Sequence, residues 1–117
     1  TAASRSSNIT AASTPAVRDG YVHVYHQYTI RLEGATGEER DRFVTALKEE
    51  HQVGSGVYYP IPNHRLPSLA PYVPGLELPN TEKVAAECVS LPVHPSLSQA
   101  DRERIVAAVN ACAKAGA

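Results

Sequence analysis

The chain has 117 residues, of which 43% are hydrophobic and 20% charged, and a net charge of −1. This length accommodates one modest domain with its own core. The near-zero charge and scattered basic residues argue against binding to nucleic acid or an anionic membrane surface. No apolar run approaches the roughly 18 residues that a membrane span needs. Cys88 and Cys112 share no metal-ligand spacing and are expected to be reduced thiols, so a cytoplasmic protein is the default expectation.

The first 19 residues are rich in Ser, Thr and Ala and end at a turn signal, Arg18, Asp19 and Gly20. We interpret residues 1–19 as a linker or the end of a preceding region, and residues 20–117 as one domain. The sequence contains no methionine, and its first clear element begins near Tyr21. The chain is therefore predicted to be a piece of a longer protein.

Residues 21–32 are β-branched and aromatic, with neither Gly nor Pro, and predict one long strand. Side chains alternate between the two faces of a strand. His26 lies on the apolar face and is expected to be a core histidine with its hydrogen bonds satisfied. The residues predicted to share that buried face are Val22, Val24, His26, Tyr28, Ile30 and Leu32.

A helix is predicted after this strand, because Thr36 and Glu39 have the spacing of a capping box. The helix should stop before Gly54, a residue suited to a left-handed cap. Residues 53–59 then predict a second, shorter strand. The apolar stripe of the helix consists of Phe43, Val44, Ala46 and Leu47.

Residues 59–79 hold six of the nine prolines and many apolar side chains, which predicts a stiff loop that packs on something or carries function. Asn80 or Thr81 is expected to cap a short helix that continues through Cys88. Residues 89–93 predict a third strand that proline ends. Ser98 and Asp101 then start a last helix, whose predicted core face is Ile105, Val106, Val109 and Cys112.

This order of elements predicts an α+β fold, in which helices cover one face of a small, mostly antiparallel sheet in a two-layer domain. Catalytic and metal signatures are missing from the sequence. His23 and His26 would point to opposite faces of a strand, so they would not bind one metal ion together. The three lysines lie in amphipathic helices. We therefore assign no catalytic, cofactor-binding or metal-binding residue to the chain.

Three motifs in order carry a family resemblance: YHQYTIR at residues 25–31, GVYYPIPNH at 56–64 and LPVHP at 91–95. Together they resemble the C-terminal part of the DegT/DnrJ/StrS family, over about residues 21–109. Those proteins are pyridoxal-phosphate-dependent aminotransferases that act mostly on nucleotide-linked keto-sugars. The resemblance implies the small C-terminal domain of a fold-type-I aminotransferase. It also implies a homodimer when intact.

The resemblance further implies that pyridoxal 5′-phosphate is bound by a large upstream domain absent from this sequence, so no cofactor is expected on this chain alone. In family members the segment matching residues 57–60 approaches the sugar nucleotide, often with a His-Tyr pair where this chain has Tyr58 and Tyr59. Tyr58, Tyr59 and His64 are the predicted substrate-binding residues. The alternatives are loop packing for the tyrosines and a structural imidazole, bonded to a loop carbonyl, for His64.

The implied reaction transfers an amino group, with glutamate as the expected donor, to the keto-sugar. Two alternatives remain open. The first is a family member that uses a cyclitol or another non-nucleotide ketone. The second is a free-standing ligand-binding or interaction module. A domain separated from its parent should also expose apolar surface, for which Tyr21, Tyr25 and residues 60–79 are the candidates.

Overall fold

The computed structural model describes residues 11–115, with side chains described through residue 113. Three strands form an antiparallel sheet in the order β1 (Ala11–Ser13), β2 (Tyr28–Glu33) and β3 (Cys88–Leu91). Three α-helices accompany it: α1 (Gly37–His51), α2 (Pro79–Glu87) and α3 (Gln99–Ala115). Two short 3-10 turns, Asn63–Arg65 and Ala70–Tyr72, lie in the loop before α2. The α+β class predicted from the sequence is confirmed.

One core joins the sheet to the helices. Ile30 and Leu32 of β2 and Val89 of β3 bury their side chains together, because Ile30 and Val89 lie opposite each other in the ladder. The helices close over this face with the side chains of Phe43, Leu47, Ala108 and Val109. Burial of large aliphatic side chains of this kind is the main driving force for the fold.

The predicted long strand is wrong over its first half. Strand β2 begins only at Tyr28, while Val22 and Val24 are 91% and 85% exposed and His26 is exposed rather than buried. The partner strand β3 explains why β2 starts at Tyr28. Tyr28 pairs with Leu91, the last residue of β3, and the residue after Leu91 is Pro92, which has no amide proton to donate. No described strand continues the pairing beyond that point.

Residues 21–27 do not pair with a described strand, and a local interaction forms there instead. The amide of Tyr25 donates to Nδ1 of His23 at 2.8 Å, and the backbone of Tyr25 is left-handed with φ 47°. The rings of His23 and Tyr25 stack with centroids 4.1 Å apart, and Tyr28 continues the stack at 5.5 Å. Side-chain bonds to the backbone compete with strand formation in this way.

Strand β1 lies within the region interpreted as a linker, and the sequence analysis did not predict it. Ala12 pairs with Leu32 and Ser13 with Arg31, so β1 covers the edge of β2 opposite to β3. Its sequence, Ala-Ala-Ser, has low β propensity and therefore cannot be distinguished from a loop by composition. The part of the linker interpretation that concerns residues 1–10 lies outside the described residues.

The starts of α1 and α3 are confirmed. The Thr36 hydroxyl accepts from the Glu39 amide at 3.2 Å and the Glu39 carboxylate from the Thr36 amide at 2.8 Å. Ser98 and Asp101 form the same reciprocal pair. Helix α1 does stop before Gly54, although the left-handed residue is Gln52, with φ 54°.

The remaining expectations need correction. Residues 53–59 form no strand but only one bridge, from Gly56 to Ser90 on the free edge of β3. The N-cap of α2 is Leu78, without a side-chain cap, and α2 ends at Glu87 because Cys88 enters β3.

On α3, Val106 is exposed and Ala108 takes its place in the core, since residues 105, 108, 109 and 112 share one helical face. Within residues 11–115, no helix has the length and apolar character needed to cross a membrane.

Candidate functional site

A groove of about 810 Å³ lies between the proline-rich loop and α2. Its walls are mainly apolar and aromatic, and the loop supplies most of them. Six side chains of the segment 58–78 define its character: Tyr58, Tyr59, Leu69, Tyr72, Val73 and Leu76. A concave apolar surface with a few polar groups is typical of small-molecule sites.

Tyr58 and Tyr59 both line this groove, as the sequence-based assignment requires. Their rings meet edge to face, with centroids 5.7 Å apart and planes at 74°. Both side chains are exposed, with Tyr59 73% accessible. Two amphipathic rings at the mouth of a groove offer stacking surface and phenolic hydrogen bonds to a ligand.

The Tyr58 ring rests directly on Gly56. A Cβ atom at Gly56 would lie 2.8 Å from the Cε2, Cζ and hydroxyl atoms of this ring. Real Cβ atoms do not approach so closely, so the absence of a side chain at Gly56 creates the seat that the ring occupies. The backbone of Gly56 is also fixed, since it exchanges two hydrogen bonds with Ser90, at 2.7 and 3.0 Å.

Replacing Gly56 with alanine should therefore displace the Tyr58 ring and leave the rest of the fold in place. We expect changed chemical shifts for the ring protons of Tyr58, because the half-exposed ring is free to rotate away, and a change in unfolding free energy below about 1 kcal/mol. NMR spectra of the variant and of Gly54→Ala, where an added Cβ meets no atom within 4 Å, provide the comparison. Unshifted Tyr58 signals would contradict the packing.

His64 lines the groove but is buried, with its side chain only 4% exposed. Neither ring nitrogen has a hydrogen-bond partner among the described residues, and both are shielded from solvent. Nε2 lies 3.6 Å from Oε1 of Glu82 on α2. The expected bond to a loop carbonyl is not formed. In this conformation a ligand in the groove meets the two tyrosines before it reaches the His64 nitrogens.

Glu82 of α2 does not itself line the groove but lies beside His64, which does, and no sequence signal indicated it. Arg65 donates to its Oε1 at 2.5 Å, and the Leu78 amide donates to its Oε2 at 3.0 Å. The Arg65 hydrogen bond, despite some opposing desolvation, holds the pKa of Glu82 below its ordinary value, with help from the Leu78 amide and nearby His64. The guanidinium of Arg65 is thus engaged by this carboxylate.

A second, smaller cleft of about 460 Å³ lies on the other side of Tyr58. Its lining is more polar and includes two exposed histidines, His26 and His94, together with Gln27, Ser55 and Ser90. The hydroxyl of Ser90 is hydrogen-bonded to that of Thr29 at 2.8 Å. Tyr58 thus forms the wall between an apolar groove and a polar cleft. No sequence motif indicated that His26 and His94 line one cleft, because 67 intervening residues separate them in the chain.

The described part of the chain contains neither a candidate metal-binding cluster nor a lysine that lines the groove. Residues 11–115 contain no group of three or more His, Cys, Asp or Glu side chains placed to hold a metal ion. Lys48 and Lys83 are both exposed on helices and neither lines the groove. The groove can therefore bind and orient a ligand, while it offers no amine nucleophile among the described side chains.

Comparison with known proteins identifies the family. Residues 4–110 match the DegT/DnrJ/EryC1/StrS aminotransferase family. The chain is 41% identical over 95 residues to a pleiotropic regulatory protein of Geobacillus stearothermophilus, covering 80% of this chain and 24% of that protein. It is 33% identical over 96 residues to dTDP-3-amino-3,6-dideoxy-alpha-D-galactopyranose transaminase of Aneurinibacillus thermoaerophilus, covering 82% and 24%.

Two further similarities come from Bacillus subtilis. The 3-oxo-glucose-6-phosphate:glutamate aminotransferase is 33% identical over 86 residues, covering 72% of this chain and 19% of that protein. The crystal structure of NtdA with bound cofactor PMP superposes with a TM-score of 0.68 at 31% identity, covering 79% of this chain and 21% of NtdA. The chain spans about a quarter of the length of the relatives it matches.

Proposed function

Because this chain belongs to the DegT/DnrJ/EryC1/StrS aminotransferase family, we propose that it is the C-terminal small domain of a sugar aminotransferase. The parent enzyme transfers an amino group from an amino acid to a nucleotide-linked keto-sugar. The observation that carries the proposal is the position of Tyr58 and Tyr59 at the mouth of the apolar groove. The family resemblance assigns substrate contact to these two positions.

The names of the relatives support the substrate class and the donor. One relative is a transaminase for a dTDP-linked amino sugar, and another is a UDP-N-acetyl-3-dehydro-alpha-D-glucosamine aminotransferase. A third is named for glutamate as its amino donor. We infer that glutamate is also the donor here, and that the parent is a cytoplasmic homodimer.

Pyridoxal 5′-phosphate is the expected cofactor, since it stores the amino group between donor and ketone, and a solved relative holds PMP. The described residues do not fit it. Lys48 and Lys83 stand outside the groove, and the walls near Tyr58 and Tyr59 carry no cationic side chain for its phosphate. We propose that the large domain of the parent binds the cofactor, and that this chain alone forms no covalent adduct with it.

The role left to this chain is to bind and orient the substrate and to exclude water from it. The apolar groove suits a flat ring, which gains stacking and burial against aromatic walls. The polar cleft beyond Tyr58 suits a hydroxylated group. A phenolic hydroxyl at Tyr59 donates a hydrogen bond while remaining uncharged at neutral pH.

The experiment that tests this role is Tyr59→Phe in the full-length protein. Removing one neutral hydrogen bond costs about 0.5–1.5 kcal/mol, which corresponds to a roughly 2- to 13-fold loss in kcat/KM for the keto-sugar. The melting temperature should hardly move, because the side chain is largely exposed. Steady-state kinetics and a thermal melt are the measurements.

Tyr21→Phe is the matched control, since Tyr21 is also 73% exposed but lies outside the groove. Its kcat/KM should equal that of the wild type. An unchanged kcat/KM for Tyr59→Phe would remove the proposed contact. A purely packing role would instead show as a loss of stability in Tyr59→Ala that precedes any loss of turnover.

A non-nucleotide ketone is the second candidate, and one observation favours it: a relative that is 33% identical is named for a phosphorylated keto-glucose. Turnover of a keto-sugar phosphate at a higher kcat/KM than a dTDP- or UDP-linked keto-sugar would select it. A parent gene without a cofactor-binding lysine domain would select the free-standing binding module instead.

A further inference from the structure

The outer wall of the groove is a self-contained loop. From residue 62 to residue 76, each described backbone hydrogen bond outside regular helices and strands closes within the loop, as in Ala70 to Leu66, Tyr72 to Leu69 and Leu76 to Val73. None of these bonds joins the segment to the sheet or to α1. The position of the wall therefore depends on how the two ends of the loop are attached.

Both ends are attached to the same carboxylate. Oε1 of Glu82 accepts from Arg65 at 2.5 Å and lies 3.6 Å from Nε2 of His64, at the first 3-10 turn. Oε2 accepts from the Leu78 amide at 3.0 Å, where the loop enters α2. Between these two attachments lie residues 66–77, which carry Leu69, Tyr72 and other side chains of the groove.

The structure assigns Glu82 the role of a clamp: by accepting hydrogen bonds from Arg65 and from the Leu78 amide at once, it positions the wall of the substrate groove. Glu82 is thus a positioning residue rather than a catalytic one, because it acts on the ligand through the wall residues. The consequence for substrate binding rests on the proposed function, whereas the consequence for the wall does not.

The charge and exposure of Arg65 and Glu82 indicate that their contact positions the loop rather than stabilising the whole domain. Arg65 and Glu82 are partly exposed, at 53% and 30% for their side chains, and exposed ion pairs contribute little to global stability. The Glu82 carboxylate is charged at neutral pH, and the Arg65 hydrogen bond, which lowers its pKa, favours that charged form. The imidazole of His64, buried beside it, adds a third contact on the same side. Loss of the clamp is therefore expected to loosen the wall without unfolding the domain.

Hydrogen exchange measured by mass spectrometry on the full-length protein tests the clamp directly. In Glu82→Ala, amides in residues 66–77 should exchange about tenfold faster after correction for intrinsic rates, while those of α1 and β2 keep their rates. Glu82→Gln should give an intermediate increase, because an amide oxygen still accepts one bond but carries no charge. Arg65→Gln should loosen the same segment, and Glu77→Ala, an exposed carboxylate on the same loop, should not.

Kinetics then separates positioning from stability. In Glu82→Gln the KM for the keto-sugar should rise about fivefold with kcat within about twofold, as expected when a uniform binding contribution is lost. Unchanged exchange in residues 66–77, an equal increase in Glu77→Ala, or a uniform increase over the whole chain would overturn the clamp. Local loosening with an unchanged KM would confirm the clamp and instead refute the groove as the substrate site.

Discussion

Truncating Leu32 to alanine should lower the free energy of unfolding of the chain by about 3–5 kcal/mol. Leu32 is fully buried on β2, where it lies opposite Ala12 and within the cluster formed by α1, α3 and the sheet. The loss combines the transfer free energy of the removed methyl groups with the cavity that remains. Urea denaturation monitored by circular dichroism gives the measurement.

Val24→Ala is the matched control for this prediction. Val24 occupies an even position of the same segment and was predicted to share the buried face with Leu32, but it is 85% exposed. Its truncation should change the free energy of unfolding by less than about 0.5 kcal/mol. Equal losses for the two variants would show that the strand continues to Tyr21, against the structure.

Glu87→Ala should also lower the free energy of unfolding, by about 2–3 kcal/mol. The carboxylate is almost completely buried at the junction of α2 and β3 and accepts from Arg31 at 2.6 and 3.0 Å and from the Gly34 amide at 3.1 Å. Removing it leaves the Gly34 amide and the Arg31 guanidinium without their acceptor. The Arg31 side chain is 40% exposed, so partial rehydration keeps the loss below that of a fully buried pair. Glu49→Ala, on the exposed face of α1, should change stability little.

The same carboxylate predicts a pH dependence. Burial alone would raise the pKa of Glu87, but the Arg31 and Gly34 hydrogen bonds outweigh burial and hold the pKa below its ordinary value of 4.5. A lowered folded-state pKa contributes stability that is present above the ordinary value and is lost as the pH falls through the folded value. The stability difference between the wild type and Glu87→Gln should therefore be constant near neutrality and shrink below about pH 4.5. A difference that grows on acidification would contradict the assignment.

Features that depend on neighbours in the chain could be predicted from the sequence. The capping boxes at Thr36 and Ser98 fix the starts of α1 and α3, because their partners lie three residues away. The stop of β3 before proline is equally local. The family motif at residues 56–64 directed attention to Tyr58 and Tyr59, and both line the groove, while their contact with a substrate stays a prediction.

Features that depend on distant residues were decided only by the tertiary structure. Strand β2 is short because β3 offers no partner before Tyr28, and the amphipathic pattern of residues 21–27 contains no information about that missing partner. His64 is buried beside Glu82, and Arg31 binds Glu87 56 residues away. Such pairs form when packing brings two elements together, and neither residue's local sequence specifies the other. The apolar character of the loop was therefore visible in the sequence. The groove, and the hydrogen bonds to the Glu82 carboxylate that hold its wall, form only when α2 packs beside the loop.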